Sequence, residues 1–369
     1  MIKFFDYSDI YLKNRKKFLK IFDTIASKGS FILGKELEQF EKNIAKFANV
    51  KYAVGVGNAT DALELMLLAS DIKKNDEIII SSHTMIATAS AINLLGAKPV
   101  IADIQDDFSI CPKSVNKLIN SKTRAIIPTQ INGRISNMKE LIKIAKKNKL
   151  LIFEDAAQAL GARYFGKHAG SFGESAMISF YPAKTLGTFG DAGIILTNKK
   201  ILYKKFILLR NHGRDESNDV SLWGRNSRLD NIHAAFLDFQ LKNFKSTLKR
   251  RREVAQLYND LLSNNKFLVL PESPKKNSNR TDTFQNFEIL AKNRNNLKKF
   301  LLKNNIHTSV QWSGYPLNHF KKIGLYEKKL KTDIFFKKIL LLPCNLTITN
   351  QQIKLICNKI NSFYKSYEK

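Results

Sequence analysis

The chain has 369 residues, of which 44% are hydrophobic and 25% are charged, a composition typical of a globular protein with room for two or three domains. Its formal charge of +29 favours anionic small molecules, yet the densest basic run, KRRR at 249–252, has no interleaved aromatic residues, so we expect no nucleic-acid partner. Three scattered cysteines and dispersed histidines offer neither a disulfide framework nor metal-ligand spacing, so we expect no metal.

The N-terminal stretch, MIKFFDYSDIYLKNRKK, lacks the unbroken apolar core of a signal peptide. No apolar run along the chain approaches the roughly 20 residues that a membrane-spanning helix needs. We therefore expect a cytoplasmic protein with no membrane-inserted segment. The N-terminal helical pattern is expected to pack beside the second domain or on a partner chain.

From about residue 50 onward, short apolar runs alternate with amphipathic helical patterns. The runs are KYAVGVG, DEIIISS, KPVIADI, RAIIPTQ, LLIFEDA, AMISFYP and GIILTN. Continuous apolar runs that are bounded by turn residues and separated by helices are typical of a mostly parallel sheet covered on both faces. We therefore predict a large α/β domain over residues 1–247, which includes the N-terminal helix.

The pattern changes beyond Gly224. A long helical pattern runs from about Asn231 through LYNDLLSNN, and the polar stretch PESPKKNSNRTD then precedes the strand-like TFQNFEILA. This change predicts a smaller α+β domain over residues 248–369.

Polar and small residues follow the predicted strands at the edge where open α/β sheets bind ligands. In VGVGNATDAL, a strand ends at glycines and a helix begins near residues 58–60, where free N–H groups favour a phosphate. Asn and Thr at a helix start are also ordinary caps. LLIFEDAAQ delivers Glu154 and Asp155 to opposite faces of one strand, where a carboxylate can also simply cap the next helix.

Lys184 stands alone in the glycine-punctuated stretch SFYPAKTLGTFGDAG, in a loop that follows a strand ending at Ser179. This lysine, the strand-end Asp155 and the nearby hydroxyl meet the needs of pyridoxal phosphate. The aldehyde of that cofactor needs an amine with a lowered pKa, and its pyridine nitrogen needs a buried carboxylate. Its phosphate needs a helix N-terminus with hydroxyl donors. The residues therefore predict a pyridoxal-phosphate site with Lys184 as its amine.

Long motifs along nearly the whole chain resemble the DegT/DnrJ/EryC1/StrS family of nucleotide-sugar aminotransferases. They include FILGKELEQFEKNIAKFANVKYAVGVGNATDALELML, IFEDAAQALGARYFGKHAGSFGESAMISFYPAKTLGTFGDAGIILTN and GRNSRLDNIHAAFLDFQL. The resemblance implies the fold-type I, aspartate aminotransferase-like architecture, in which helices sandwich a mostly parallel central sheet.

The resemblance also implies which residues hold the cofactor ring. Lys184 binds the aldehyde covalently and then transfers the proton, Asp155 pairs with the pyridine nitrogen, and Gln158 lies by the ring oxygen. Where the family commonly has an aromatic residue stacked on the ring, this chain has Met85. A methionine can lie against a ring through its thioether, but His83 could stack instead, and Met85 could be an ordinary core residue.

The phosphate is expected to contact Ser179 and the backbone N–H groups of Ala59 and Thr60. The family usually has glycine in place of Ala59, so in this chain one methyl group leaves less room for the phosphate to approach the backbone. Asn226 matches an asparagine that the family lends to the phosphate of the neighbouring subunit, which implies a homodimer with shared active sites. Alternatively, Asn226 only stabilises its own loop.

The function that the resemblance implies is a two-stage transamination. L-Glutamate gives its amino group to the cofactor, and a keto-sugar on a nucleoside diphosphate then accepts it, for surface polysaccharide or amino-sugar biosynthesis. Asp191, in the sequence GDA, favours a 3-keto sugar. The acceptor could also be a smaller keto compound. A sugar dehydratase of this fold has histidine in place of Lys184, and a non-catalytic regulator is disfavoured because no helix-turn-helix pattern precedes residue 30.

Overall fold

The computed structural model describes residues 1–276 and 279–365. In chain order the helices are α1 (Tyr7–Ala26), α2 (Lys35–Ala48), α3 (Ala59–Ala69), α4 (Ile86–Leu94), α5 (Pro112–Leu118), α6 (Met138–Lys147), α7 (Lys200–Leu209), α8 (Asn231–Leu241), α9 (Phe244–Leu262), α10 (Arg294–Lys303), α11 (Leu330–Phe336) and α12 (Asn350–Lys365). The strands are β1 (Tyr52–Val56), β2 (Glu77–Ser81), β3 (Lys98–Ala102), β4 (Thr123–Ile127), β5 (Leu151–Asp155), β6 (Arg163–Tyr164), β7 (Lys167–His168), β8 (Ser175–Ser179), β9 (Gly193–Thr197), β10 (Leu268–Val269), β11 (Arg280–Thr281), β12 (Phe287–Ala291), β13 (His319–Phe320), β14 (Leu325–Tyr326) and β15 (Ile339–Leu342). No helix in these two ranges is both long and apolar enough to cross a membrane.

The first sheet has seven strands in the order β1-β9-β8-β5-β4-β2-β3. The strands from β8 to β3 pair in parallel, whereas β9 runs antiparallel to both of its neighbours, β1 and β8. Strands β2, β8 and β9 are buried along their whole length, as expected for a sheet covered on both faces. The predicted α/β fold with a mostly parallel sheet is confirmed.

Alternate residues of the strands enter apolar cores on opposite faces of this sheet. In β2, Ile79 belongs to the same buried cluster as Phe40 of α2, whereas Ile78 and Ile80 belong to the cluster that contains Leu63 of α3. Because helices cover both faces in this way, the carboxyl ends of the parallel strands remain as the place for a ligand.

The N-terminal helix packs on the first part of the molecule. Phe18 of α1 contacts Phe236 and Phe239 of α8, with ring centroids 5.4 and 5.7 Å apart. Ahead of the helix, Ile2 pairs with Ile306 and is buried in the second core. The expectation that the helix lies beside the second domain is therefore wrong, because, of the described N-terminal residues, only those before the helix reach that domain. The alternative, that the helix packs on a partner chain, stays a prediction.

A second, antiparallel sheet has the order β10-β12-β15 and shares one core with α9, α10 and α12. The long helical pattern from Asn231 is divided into α8 and α9 at Asn243, a residue type that favours helix caps. Helix α9 connects the two cores, since Phe244 is buried in the first and Tyr258 in the second. The predicted boundary between residues 247 and 248 falls within this helix and stays a prediction.

Candidate active site

A cavity of about 480 Å³ lies at the edge of the first sheet where β5 and β8 end. The predicted site residues that line it are Ala59, Thr60, Met85, Asp155, Gln158, Ser179 and Lys184. Residues from the loops around the second sheet also line it, among them Gln285, Gln311 and Trp312. The structure thus brings together all the predicted site residues except Asn226.

A larger cavity of about 660 Å³ lies around Arg134, and none of the predicted site residues lines it. The Arg134 guanidinium is already paired with Asp107, Glu272 and Asp282, at 3.4, 2.6 and 2.7 Å. Arg134 is therefore engaged in a structural network of ion pairs and is not available to a ligand as an isolated group. The chemistry of an amine next to a carboxylate belongs to the smaller cavity.

Asp155 and Glu154 end β5 and point to opposite faces, as the strand alternation predicts. Asp155 faces the cavity, where its Oδ2 accepts a hydrogen bond from Thr88 at 2.9 Å and its Oδ1 accepts one from the N–H of Ala157 at 3.2 Å. Glu154 accepts a hydrogen bond from Gln130 at 2.9 Å and two more, at 3.0 and 2.7 Å, from backbone N–H groups of the following loop. Glu154 therefore stabilises a loop, and Asp155 is the carboxylate available to a ligand.

Burial shifts the pKa values of Lys184 and Asp155 in the directions that favour their neutral forms. Desolvation lowers the pKa of the Lys184 amine, although the charge of Asp155 opposes this shift. Desolvation likewise raises the pKa of the Asp155 carboxyl, against the hydrogen bond from Thr88. Within the described part of the chain the Lys184 amine has no hydrogen-bond partner. The lowered pKa favours the unprotonated amine, which is the form that acts as a nucleophile and base.

The first turn of α3 supplies backbone donors to the cavity. Asn58 caps the helix, and its side-chain oxygen accepts a hydrogen bond from the N–H of Asp61 at 2.9 Å. The N–H groups of Ala59 and Thr60 lie in this first turn, where no carbonyl of the helix can pair with them. Gly193 of β9 lets the turn lie close, because a Cβ there would be 2.6 Å from the carbonyl carbon of Asn58 and 2.7 Å from the Ala59 nitrogen.

Ser179 and Gln158 complete the polar lining. Ser179 ends β8 and is only 8% exposed, and its hydroxyl oxygen accepts a hydrogen bond from the N–H of Tyr181 at 3.3 Å. The hydroxyl hydrogen is thus directed elsewhere and can be donated to a ligand. The side-chain oxygen of Gln158 accepts a hydrogen bond from the N–H of Asn132 at 2.6 Å, which fixes the orientation of its amide.

Met85 and His83 occupy different surroundings. Met85 is 52% exposed and lines the cavity, so its interpretation as an ordinary core residue is wrong. His83 is 1% exposed, and its ring packs against Trp312 and Phe336 at centroid distances of 5.1 and 5.2 Å. The His83 Nε2 lies 3.5 Å from a carboxylate oxygen of Glu288. Of the two, only Met85 reaches the cavity, and its stacking on a cofactor ring stays a prediction.

Asn226 is exposed and does not line the cavity of its own chain. Its backbone pairs with Asn211, and the neighbouring Ser227 donates a hydrogen bond to Asp61 at 2.6 Å and accepts one from the N–H of Gly57 at 3.1 Å. These contacts hold the loop beside the α3 turn while the Asn226 side chain stays at the surface. Its role in a partner's site stays a prediction.

Several residues of the cavity carry no marked signal in the sequence. Thr88 lies one helical turn after Met85, so its spacing could have revealed that it faces the same side. Gln285, Gln311 and Trp312 come from the loops around the second sheet. No local pattern marks them, since only the packing of that sheet against the first brings them here.

The fold and the cavity together define a class of protein. A mostly parallel α/β sheet with an isolated amine and a buried carboxylate at its strand ends is typical of aminotransferases. The chain belongs to the DegT/DnrJ/EryC1/StrS aminotransferase family, whose model matches residues 13–361.

Individual relatives are similar along nearly their whole length. The chain is 34% identical to a pleiotropic regulatory protein of Geobacillus stearothermophilus, over 98% of this chain and 98% of that one. It is 32% identical to the dTDP-3-amino-3,6-dideoxy-alpha-D-galactopyranose transaminase of Aneurinibacillus thermoaerophilus, over 98% and 99% of the two chains. The solved structure of S. venezuelae DesV in complex with a ketimine intermediate has a TM-score of 0.94 and 31% identity, and the match covers 98% of each chain. The predicted family is thereby confirmed.

Proposed function

We propose that the protein is a pyridoxal-phosphate-dependent aminotransferase that transfers the amino group of L-glutamate to a keto-sugar carried on a nucleoside diphosphate. The observation that carries the proposal is the single cavity that Lys184 and Asp155 share with the first turn of α3. The name of the Aneurinibacillus relative, a transaminase that forms an amino sugar on dTDP, supports this kind of acceptor. Such a reaction suits amino-sugar or surface-polysaccharide biosynthesis in the cytoplasm.

The residues of the cavity fit pyridoxal phosphate at three places. Asp155 would hold the pyridine nitrogen, Lys184 would hold the aldehyde carbon, and the α3 turn with Ser179 would hold the phosphate. The close approach that Gly193 allows keeps the α3 turn against the sheet. When bound, the cofactor supplies an electron sink for the electron pair left by a broken α-C–H bond.

Lys184 and Asp155 divide the proton chemistry between them. Because burial lowers the pKa of Lys184, the free amine can take up the α-proton of an amino acid and release it again. A cationic ring nitrogen next to Asp155 would oppose the effect of burial and keep the carboxylate ionised. The hydrogen bond of 2.9 Å from Thr88 orients that carboxylate. Trp312 lines the cavity with an apolar surface that helps to exclude water.

We propose a 3-keto sugar as the acceptor. Asp191, whose GDA context suggests amination at C3, lines the cavity. The product named for the Aneurinibacillus relative is likewise a 3-amino sugar.

We further propose that the protein is a homodimer with shared active sites. Asn226 is exposed on its own chain, as a residue that serves the partner's phosphate has to be. The same loop presents Trp223, which is 94% exposed, and Val220, which is 56% exposed. Large apolar side chains exposed together suit an interface between chains.

A regulatory protein is the second candidate, because one relative with 34% identity is a pleiotropic regulatory protein. The intact pair of Lys184 and Asp155 favours the enzyme, since regulation alone requires no isolated amine beside a carboxylate.

The half-reaction with purified protein, pyridoxal phosphate and L-glutamate tests the proposal. We expect one molecule of 2-oxoglutarate to form for each active site, and the visible absorbance of the bound cofactor to disappear. Lys184→Ala should abolish both effects, whereas Lys199→Ala, which alters an exposed lysine paired with Glu174, should leave them unchanged. Cofactor binding without glutamate conversion would favour the regulator.

The acceptor is identified with a panel of nucleotide-linked 3-keto and 4-keto sugars after the glutamate step. We expect the 3-keto compounds to react, with the new amine located at C3 by NMR of the product. An amine at C4 would contradict the proposed acceptor, and reaction with only small keto acids would exclude a sugar nucleotide.

A further inference from the structure

The side chain of Gln285 binds the backbone on both sides of Lys184. Its Nε2 donates a hydrogen bond to the carbonyl oxygen of Ala183 at 2.7 Å. Its Oε1 accepts one from the N–H of Thr185 at 2.7 Å and another from the Thr185 hydroxyl at 3.2 Å. Gln285 is 5% exposed, so these bonds are made out of contact with bulk water. The nitrogen and the oxygen of the Gln285 amide thus each bind one of the two peptide groups that flank Lys184.

The backbone of Gln285 is itself held firmly. Its N–H donates to the carbonyl oxygen of Asn132 at 2.9 Å, and Asn132 is the residue whose N–H binds Gln158. Its carbonyl oxygen accepts a hydrogen bond from Arg251 at 3.2 Å. The same Arg251 group donates to the carbonyl oxygen of Cys344 at 2.9 Å and is buried in the second core, with 5% exposure. Backbone hydrogen bonds therefore hold Gln285 to Asn132, beside the first sheet, and to Arg251, which binds the part of the chain around the second sheet.

The rest of the lysine loop is held at other points. The N–H of Lys184 donates to the carbonyl oxygen of Tyr181 at 2.8 Å, and Gln240 of α8 donates to the carbonyl oxygen of Gly187 at 2.9 Å. Without Gln285 the peptide group before Lys184 keeps only the bond from its N–H to Tyr181, and the peptide group after Lys184 loses the partner of its N–H. The direction in which the Lys184 side chain leaves the backbone depends on those two groups.

We propose that Gln285 is a positioning residue, which aims the Lys184 amine by clamping the peptide groups before and after it. Transfer of a proton falls steeply when the base is displaced by a fraction of an ångström, so a residue that fixes the backbone of the base acts on the rate. The proposal rests on the proposed function, because it needs Lys184 to be the reacting amine. It also shows how the loops around the second sheet, which line the cavity, are connected to that amine.

The test compares Gln285→Met with Gln240→Met in the holoenzyme. Methionine keeps the length of glutamine and removes its hydrogen bonds, and Gln240 binds the same loop three residues away from Lys184. We measure kcat and KM for L-glutamate, and the pH midpoint at which the visible absorbance of the lysine-bound cofactor changes. For Gln285→Met we expect kcat to fall about ten- to a hundredfold, KM to stay within about twofold, and the midpoint to shift. Gln240→Met should match the wild type in all three.

Gln285→Glu is the second variant, used if the methionine variant does not fold. It keeps the acceptor for Thr185 but, while ionised, cannot donate to the carbonyl oxygen of Ala183. We expect kcat to fall by at least as much as in Gln285→Met, because the ionised carboxylate would face the carbonyl oxygen of Ala183. If a folded Gln285 variant has the midpoint and the kcat of Gln240→Met, the proposal is wrong. If the wild type itself gives no visible absorbance with pyridoxal phosphate, the proposed function fails before this comparison is reached.

Discussion

Replacement of Gly193 by alanine tests whether the α3 turn holds the phosphate. A Cβ at this position would lie 2.6 Å from the carbonyl carbon of Asn58 and 2.7 Å from the nitrogen of Ala59. Both are backbone atoms at the turn, and ordinary contacts begin near 3.4 Å, so the turn has to move by roughly 0.8 Å. Overpacking of this kind lowers the free energy of unfolding by about 1–3 kcal/mol. The same movement takes the N–H groups away from any bound phosphate.

The consequence for binding is measured with pyridoxamine 5′-phosphate, which forms no covalent bond with a lysine. Loss of an anion's contact with a helix N-terminus costs up to about 2 kcal/mol, so we expect the Kd to rise about tenfold in Gly193→Ala. Gly190→Ala is the matched control, because a Cβ there would meet only the His233 ring at 3.4 Å, and its Kd should stay within about twofold. Pyridoxamine without phosphate should bind Gly193→Ala as well as it binds the wild type. Unchanged affinity for the phosphate compound in a destabilised Gly193→Ala protein would refute the placement of the phosphate.

Three further predictions concern other parts of the chain. Thr88→Val removes the hydrogen bond of 2.9 Å to Asp155, so kcat should fall about tenfold in steady-state assays, and an unchanged kcat would exclude a role for that bond. Burial lowers the pKa of His168 to about 4 from 6.5, so the unfolded chain binds the proton first as the pH falls. The free energy of unfolding should therefore decrease by about 3 kcal/mol between pH 6.5 and pH 4, and chemical denaturation should show that His168→Gln lacks this decrease. Mixed dimers of Lys184→Ala and Asn226→Ala chains should be more active than either parent, because one of their two sites is intact; no gain on mixing would show that Asn226 acts within its own chain.

The sequence predicted those features that depend on local pattern. The apolar run LLIFEDA predicted a buried strand, and alternation along it placed Glu154 and Asp155 on opposite faces, as β5 shows. The position of Lys184 after a strand that ends at Ser179 predicted that both would reach the ligand edge of the sheet. Local periodicity and the position of strand ends are sufficient for conclusions of this kind.

The sequence did not predict features that depend on how distant segments pack. The run GIILTN has the same apolar pattern as the parallel strands, so nothing in it revealed that β9 runs antiparallel to its neighbours. Gln285 and Trp312 reach the cavity only because the second sheet packs against the first. The exposure of Met85, at 52%, likewise depends on the open side of the cavity and not on its apolar neighbours in sequence.

Chemical trapping of the bound cofactor shows directly which residue carries it. The protein loaded with pyridoxal phosphate is reduced with borohydride and digested, and the peptides are analysed by mass spectrometry. With 48 lysines in the chain, a single labelled position is an informative result. We expect the phosphopyridoxyl group on Lys184 in nearly every chain, and no label at a specific site in Lys184→Ala. A label on a different lysine, or one spread over the surface lysines, would contradict the proposed active site.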